Sequence, residues 1–227
     1  MGRADDRKTT VTTTYTGHVE TDGGWQDRID GHVLVRKFAV ESMNNNVYVV
    51  ACGRTKAALL VDVAARHERL AEALVGFVPV AAVQTHGHWD HVRAWDGVRD
   101  ELDVEVWGHP GDAELFPRAV DRELADGERI GVGDLEIEVI HLPGHTEGSL
   151  LFLINGADRP HLFSGDTLFP GGHGKTTPDD HERIMAGLEN KIFGRLPDNT
   201  WVYPGHGDDT TIGAERPHLQ EWRDRGW

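Results

Sequence analysis

One stretch decides the fold of this chain: Thr85-His86-Gly87-His88-Trp89-Asp90-His91. It places three imidazoles and one carboxylate within six consecutive residues, directly after the apolar run Val80-Ala81-Ala82-Val83. Imidazole and carboxylate groups are ligands that divalent transition metals prefer. On a loop that leaves a strand, the spacing H-x-H-x-D-H can direct side chains toward two neighbouring points. The stretch therefore predicts a metal site, best suited to two ions, in a hydrolytic or oxidative enzyme.

Three further segments each place a His or an Asp in a glycine-rich turn. They are Pro143-Gly144-His145-Thr146-Glu147-Gly148-Ser149, Ser164-Gly165-Asp166-Thr167-Leu168 and Tyr203-Pro204-Gly205-His206-Gly207. Each follows a strand-like run, and glycine lets the backbone turn sharply and approach an ion closely. Histidine is abundant here, with 14 residues in 227, so chance clustering is the alternative explanation. Four strand ends that each present a ligand argue against it.

Taken together, the four segments resemble the metallo-β-lactamase superfamily of metallohydrolases, in which they occur in the same order. The resemblance covers nearly the whole chain, and among the branches it is greatest to glyoxalase II, a thioester hydrolase. It implies an α/β fold, the αββα four-layer sandwich, in which two mixed β-sheets are flanked by helices. The metals are then expected at one edge of the sheets.

The same resemblance assigns the ligands by position. One metal would be held by His86, His88 and His145, and the second by Asp90, His91 and His206. Asp166 would bridge the two ions, and the sequence supplies all of these residues without substitution. The implied cofactors are two divalent ions per chain. Zinc suits these donors, and iron and manganese are also compatible with them.

Two adjacent cations lower the pKa of a shared water to about neutral. A metal-bridging hydroxide would then attack a small acyl thioester, while one metal polarises the carbonyl and the other stabilises the leaving group. Asp90 and Asp166 are the candidate catalytic residues. Asp166 is the bridge, and Asp90 is the first candidate for a base if a side chain does that work.

Residues beside the ligands have predicted supporting roles. Asp62 ends an apolar run and is expected to orient a ligand histidine, with a strand-end or helix-capping role as the alternative. His173 and Lys175 follow the bridging Asp166 and are expected to bind substrate at the mouth of the site; a solvated loop lysine is the alternative for Lys175. A phosphate-binding loop is excluded, because it would require glycine where Phe169 stands.

Other functions on the same fold stay open. A mononuclear iron persulfide dioxygenase would use a subset of these positions, and the complete second-metal set counts against it. A lactonase, a β-lactamase or a nuclease is also compatible with the fold, and a non-catalytic binding module would be expected to lose ligands. Only 21 residues follow His206. Glyoxalase II enzymes that act on glutathione thioesters add a helical region there, so we expect little preference for the glutathione carrier.

Length, composition and charge limit the possible domain organisation, binding partners and localisation of the protein. The length and the absence of a linker or repeat predict a single domain over residues 1–227. The net charge of −15 argues against nucleic acid as a partner. No secretory signal or membrane-spanning run is found, and the single cysteine, Cys52, excludes an intrachain disulfide. We therefore expect a cytoplasmic enzyme with a small-molecule substrate and no membrane partner; the sequence does not define its oligomeric state.

The sequence pattern alternates strands and helices after a β-rich beginning. Strands are predicted over residues 9–16, 32–39, 46–52, 57–63, 104–107, 150–154, 161–164 and 201–203, with another leading into His86 and a hairpin over 128–140. Helices are predicted over residues 66–77, 91–102, 110–120 and 178–193.

Overall fold

The computed structural model describes residues 15–226. Most of the strand predicted over residues 9–16 lies outside the described residues, and Tyr15 and Thr16 are not in a strand. The described chain forms a seven-stranded sheet and a six-stranded sheet. The prediction of two mixed β-sheets is therefore confirmed.

The strands of the first sheet lie side by side in chain order. They are β1 (Gln26–Asp30), β2 (Val33–Val40), β3 (Asn45–Cys52), β4 (Ala57–Val61), β5 (Val78–Val83), β6 (Val106–Gly108) and β7 (Arg122–Glu123). Strands β1 to β4 pair antiparallel, and β4 to β7 pair parallel. All of β3 is buried, as expected for a strand covered on both faces.

The second sheet is formed by the later part of the chain. Its strands are β8 (Arg129–Val132), β9 (Leu135–His141), β10 (Leu150–Asn155), β11 (Pro160–Gly165), β12 (Trp201–Pro204) and β13 (Thr210–Thr211), in the spatial order β13-β12-β11-β10-β9-β8. Strands β11 and β12 are parallel, and the other pairs are antiparallel. The predicted hairpin at Gly133-Asp134 is the connection between β8 and β9.

Four α-helices are described, namely α1 (His67–Leu74), α2 (Pro178–Gly187), α3 (Ile212–Glu215) and α4 (Leu219–Arg225). Helix α2 begins after Thr177, whose hydroxyl accepts a hydrogen bond from the Asp180 N–H, and proline occupies its first turn. It continues as a π-helical stretch over Leu188–Phe193. Among the described residues, no helix is both long and apolar enough to cross a membrane.

Three apolar clusters hold these elements together. The middle cluster lies between the sheets and includes Val50 from β3 and Phe152 from β10. A second joins the outer face of the first sheet to α1 through residues such as Leu70. A third joins the outer face of the second sheet to α2 and α4 through Ile184 and Trp222. Helices thus cover both outer faces, which confirms the αββα sandwich.

The helix predicted over residues 91–102 is wrong in its first part, because only residues 95–101 are helical. The chain forms a 3₁₀ turn at Trp89–His91 and a short π-helical segment at Gly97–Glu101. Between them the Ala94 N–H donates to the Val63 carbonyl, which follows β4. The backbone directly after the metal motif is therefore bonded to the segment that follows β4, and the helical turns begin only after it.

The helix predicted over residues 110–120 is also wrong, because only Pro110–Asp112 forms a 3₁₀ turn. Pro117 has no N–H to donate, and it disfavours the helical conformation for the residue before it.

Three strands were not predicted from the sequence: β13, a two-residue strand at an edge of the second sheet, and β1 and β7 in the first sheet. Strand β1 carries one apolar residue, Ile29, which is 72 % exposed, and β7 is an Arg-Glu pair. Both are at the edges of the first sheet. Edge strands bury little side-chain surface, so they do not show the apolar alternation on which strand prediction depends.

Candidate metal centre

The four segments singled out from the sequence meet at one edge of the sheets. Strand β5 leads into His86, the connection between β9 and β10 carries His145, Asp166 directly follows β11, and His206 lies two residues after β12. Because β10 runs antiparallel to β11 and β12 runs parallel to it, the start of β10 and the ends of the other two share an edge. Strand pairing therefore brings together residues that are far apart in the sequence.

A glycine allows the closest approach of the two sheets at this edge. Gly165 has a φ of 49°, in the left-handed region that favours glycine. A Cβ atom at this position would lie 2.5 Å from the Cβ of Thr85. Only glycine therefore lets the end of β11 turn toward the loop that carries His86, and this turn presents Asp166 to the site.

The first half of the site, called here the three-histidine half, consists of His86, His88 and His145. Their ring centroids are 4.5 to 4.9 Å apart. One nitrogen of each ring lies within 4.8 Å of the others. Three imidazoles converging at this distance form a cradle suited to one divalent ion.

The second half, called here the carboxylate half, consists of Asp90, His91 and His206. The Nε2 atoms of His91 and His206 are 3.1 Å apart, and Asp90 Oδ2 lies 3.6 Å from the former and 3.3 Å from the latter. His91 and Asp90 are buried. Three donor atoms therefore converge at a second point.

Asp166 lies between the two halves. One of its oxygens is 3.6 Å from His91 Nε2, and the other is 3.4 Å from His206 Nε2 and 3.7 Å from His145 Nε2. A single carboxylate thus faces ligand nitrogens of both halves. This is the placement that a bridging ligand requires.

Three candidate ligand atoms at the centre of the site are buried without a hydrogen-bond partner. They are Nε2 of His86, Nε2 of His145 and Oδ1 of Asp166. Buried polar atoms are nearly always satisfied, and a cluster of exceptions aimed at one point needs an explanation. Imidazole nitrogens and carboxylate oxygens are suitable ligands for a divalent metal ion. Asp166 also forms a candidate ligand triad with His86 and His91, one residue from each half. The residues present therefore fit the implied metals.

The far side of the His91 ring is held by a carboxylate. Asp62 Oδ2 is 2.9 Å from His91 Nδ1, and the same carboxylate accepts hydrogen bonds from the N–H and the hydroxyl of Thr85. The Thr85 hydroxyl is also 3.1 Å from His86 Nδ1. Asp62 thus fixes the ring orientation of His91 directly and supports the loop of His86, as the predicted orienting role requires.

Backbone carbonyls and an amide hold the other ligands. His145 Nδ1 lies 2.9 Å from the Lys175 carbonyl, and His206 Nδ1 lies 2.9 Å from the Met43 carbonyl. The Asn45 amide donates to Asp90 Oδ2 over 2.9 Å. The two rings keep Nε2 turned toward the centre because Nδ1 is engaged elsewhere.

The electrostatics differ between the halves. Burial lowers the pKa of His86 and of His88, so both are neutral at neutral pH. Burial alone disfavours ionised Asp90 and Asp166, but neighbouring imidazoles outweigh it and lower the pKa of both carboxyls. Burial would likewise lower the pKa of His206, yet its hydrogen bonds to the two carboxylates raise it to about 10.

A cavity of about 690 Å³ opens beside these ligands. Its walls are formed by Met43, Asn44, His145, Asp166, Phe169, Pro170, Gly174, Lys175, His206, Gly207 and Asp208. Lys175 is exposed and lines this cavity, where the sequence analysis expected it. The prediction for His173 needs correction, because its side chain is 1 % exposed and does not line the cavity. Its Nδ1 is bonded to the Gly174 carbonyl, and its ring packs near His181.

Sequence reasoning missed two supporting residues, Asn45 and Asp112. Asn45 begins β3 and contacts a ligand 45 residues later, and Asp112 follows β6 and contacts the ligand loops described below. Neither belongs to a motif, so the sequence offered no signal. The histidines assigned no ligand role are outside the candidate metal groups found among residues 15–226; they are His18, His32, His67, His109, His141, His161, His181 and His218.

The sequence is similar to a known protein family and to a hydrolase of known name. A family described as the metallo-beta-lactamase superfamily matches residues 42–206, a range that contains all seven candidate ligands. The hydroxyacylglutathione hydrolase of Rhodospirillum rubrum is 32 % identical over 173 residues, which is 76 % of this chain and 65 % of that protein. The chain thus spans just under two thirds of that relative.

Solved structures show the same likeness. The crystal structure of BLEG-1 B3 metallo-beta-lactamase superposes with a TM-score of 0.70 at 30 % identity, covering 82 % of this chain and 97 % of that one. The crystal structure of TTHA1623 in a di-iron-bound form gives a TM-score of 0.66 at 31 % identity, covering 78 % and 95 %. A neighbour of similar size and sequence therefore holds two metal ions.

Proposed function

This chain belongs to the metallo-beta-lactamase superfamily, and on that basis we propose that it is a binuclear metal-dependent hydrolase that cleaves small acyl thioesters. The observation that carries the proposal is the shared carboxylate. Asp166 lies within 3.7 Å of ligand nitrogens from both halves of the site. The di-iron neighbour supports a count of two ions, and zinc, iron and manganese all suit these donors.

Two divalent ions bound here would supply a water of lowered pKa and polarise the substrate carbonyl. The chain's own residues orient the reaction. Water adds its oxygen to the acyl carbon, the carbon–sulfur bond breaks, and the electron pair leaves with sulfur as the thiolate. The lowered pKa of Asp90 keeps it ionised as a ligand and makes it a weak base, so it would hold the proton of the attacking water only briefly before the proton passes to the leaving thiolate or to solvent.

The cavity supports a small substrate with both apolar and polar parts. Met43, Phe169 and Pro170 provide apolar wall, and Lys175 provides an exposed cation. The acyl group would pack on the apolar wall, and Lys175 would contact an anionic group of the acyl part or the thiol carrier. The hydroxyacylglutathione hydrolase relative, by its name, acts on one such thioester.

Hydrolysis of a lactam or a lactone is the second candidate, because a B3 metallo-beta-lactamase is among the structural neighbours. A mononuclear persulfide dioxygenase is disfavoured by the convergence of Asp90, His91 and His206 at a second point. A single panel of substrates can distinguish both alternatives from thioester hydrolysis.

The test is a matched substrate panel on metal-loaded protein. It contains S-lactoylglutathione, the same acyl group on other thiols, a lactone, a β-lactam, and a persulfide with oxygen uptake monitored. We expect kcat/KM for a thioester to lead by at least about tenfold, or about 1.4 kcal/mol of transition-state preference. Faster lactone or β-lactam turnover, or oxygen uptake without thioester cleavage, would contradict the proposal.

Two variants serve as controls for this panel. His206→Ala should abolish the leading activity, because it removes a ligand of the carboxylate half. His218→Ala should leave it unchanged, because this exposed histidine lies outside the candidate metal groups. Together they separate turnover at the centre from turnover by a contaminant.

A further inference from the structure

A buried carboxylate outside the metal ligands connects two of the ligand loops. Asp112 ends the 3₁₀ turn after β6, and it is 1 % exposed. Its Oδ2 accepts hydrogen bonds from the Gly87 N–H over 2.7 Å and from the Thr146 hydroxyl over 2.8 Å. Its Oδ1 accepts from the Gly148 N–H over 2.7 Å. Both oxygens are thus used, and the three donors are uncharged.

The three donors flank the ligands of the three-histidine half. Gly87 lies between His86 and His88, and Thr146 directly follows His145. The first loop leaves the first sheet after β5, whereas the second joins β9 to β10 in the second sheet. One side chain therefore ties together the two loops that carry every ligand of this half.

The approach of these loops is close enough to exclude a side chain. A Cβ atom at Gly148 would lie 2.6 Å from the Asp112 carboxyl carbon. The carboxylate is thus enclosed by backbone, and its position sets the separation of the loops. In the carboxylate half, Asp62 contacts a ligand ring directly; Asp112 can act only through the loops.

We propose that Asp112 is a positioning residue that sets the metal affinity of the three-histidine half by fixing the distance between the His86/His88 loop and the His145 loop. This inference rests on the proposed metal centre but not on the substrate. The chemistry explains the need for a carboxylate. An amide has one acceptor oxygen, so in Asp112→Asn at least one of the two N–H donors would face an NH₂ group.

The test compares Asp112→Asn with Asp30→Asn. Asp30 is a matched control: it is buried, accepts hydrogen bonds from the N–H groups of Asp158 and Arg159, and also connects the two sheets. The Asp30 contacts lie beside the start of β11, at the opposite end of that strand from the metal ligand Asp166. Loss of the Asp30 contacts therefore affects folding stability without moving a ligand loop.

Zinc affinity is measured by chelator competition in two backgrounds. His206→Ala leaves only the three-histidine half intact, and His145→Ala leaves only the carboxylate half intact. We expect Asp112→Asn to weaken zinc binding about 10- to 100-fold in the first background and to change it by less than about threefold in the second. Asp30→Asn should leave zinc binding unchanged in both.

The proposal is overturned if Asp112→Asn weakens both halves equally, if it weakens neither, or if Asp30→Asn has the same effect. Should Asp112→Asn fail to fold, Thr146→Val replaces it, because this change removes the hydroxyl that donates to Asp112; Ser149→Ala is its control, because the same hydroxyl also contacts Ser149 Oγ. Thr146→Val should weaken the same ion about threefold to tenfold, the loss expected for one hydrogen bond. Protein that binds zinc normally but cleaves no thioester would contradict the proposed function and leave this inference standing.

Discussion

The two halves of the metal centre use similar ligands but hold them differently. In the three-histidine half, Nε2 of His86 and Nε2 of His145 have no hydrogen-bond partner. In the carboxylate half, His206 Nε2 lies within 3.4 Å of His91 and of two carboxylates. In the first half, burial lowers the pKa of His86 and His88, and an ion bound there need not replace a hydrogen bond at Nε2 of His86 or His145. The second half is closed by its own hydrogen bonds, so an ion bound there must replace them.

The support behind the ligands differs in the same way. Asp112 connects the backbone of the loops in the three-histidine half, whereas Asp62 holds the His91 ring directly. Behind the His206 loop, the buried Lys37–Asp209 pair is 2.6 Å apart, and Lys37 donates to the Gly207 carbonyl. We therefore expect ion binding to the first half to depend on loop spacing. In the second half it depends on charge and protonation.

The largest expected effect comes from removing the ligand that both halves share. Asp166→Ala should weaken both ions and lower kcat/KM by more than about 100-fold, because loss of a ligand exceeds the usual effect of a supporting residue. Elemental analysis after dialysis checks the metal count. If one ion stayed at full occupancy, Asp166 would belong to a single half.

A substitution of a ligand that belongs to one half should remove one ion and leave the other in place. We expect His206→Ala to lose one ion and retain the ion held by His86, His88 and His145, since the candidate ligands near His206 Nε2 are those of the carboxylate half and Asp166. The check is metal content compared with Asp166→Ala. Identical metal loss in both variants would contradict the division into halves.

Asp62→Asn should have an intermediate effect on the carboxylate half. The amide leaves His91 without its carboxylate partner at 2.9 Å, so zinc affinity should fall about 10- to 100-fold in that half. Chelator competition in the His145→Ala background measures it. The same variant in the His206→Ala background is the control, and a larger loss there would reverse the assignment.

The pH dependence should also differ between the halves. The pKa of His206 is raised to about 10, and metal binding requires the neutral imidazole. The pKa of His91 is also raised, by Asp166 and Asp62 against the effect of burial, so below these pKa values affinity in the carboxylate half should rise by at least about tenfold per pH unit. Burial lowers the pKa of His86 and His88, so affinity in the other half should change little above neutrality. Calorimetry at several pH values between about 6 and 8 checks this, and equal slopes would contradict it.

The same shift affects the stability of metal-free protein. A pKa raised from 6.5 to about 10 means that protonated His206 stabilises the fold fully below pH 6.5, and that this contribution is lost as the pH rises toward 10. Asp90 and Asp166 have lowered pKa values, so their contribution is present above their unfolded pKa of 3.8 and is lost as the pH falls below it.

The smallest expected effect concerns the cavity wall. Lys175→Ala should raise KM for an anionic thioester about twofold to fivefold, as expected for an exposed charge contact, with both ions retained. Steady-state kinetics on the best thioester measures it. Lys56→Ala, at an exposed lysine outside the cavity, is the control. An equal change in both variants would remove Lys175 from substrate recognition.

The ligands could be predicted from sequence because they lie in short motifs at strand ends. His86, His88, Asp90 and His91 fall within six consecutive residues, and strand pairing brings the other three ligands to them. The residues that hold the ligand loops in place could not be predicted in the same way. Asp112 bonds to Gly87 and Gly148, which are 25 and 36 residues away, and nothing local marks it.

Predictions from the local sequence pattern were wrong where tertiary contacts determine the backbone conformation or the position of a side chain. The segment after His91 has helical spacing, but the N–H groups of Arg93 and Ala94 bond to the chain after β4, so the helical turns begin later than predicted. His173 follows a ligand motif closely enough to suggest a role at the mouth. Its ring is instead packed near His181, whereas Gly174 and Lys175 of the same loop line the cavity.

The most direct test of the account is the location of bound metal by anomalous diffraction from crystals of protein prepared without chelator. We expect two peaks, one among His86, His88 and His145 and one among Asp90, His91 and His206, with the Asp166 carboxylate between them. A single peak, or two peaks on the same side of Asp166, would contradict the shared carboxylate and the binuclear hydrolase that depends on it.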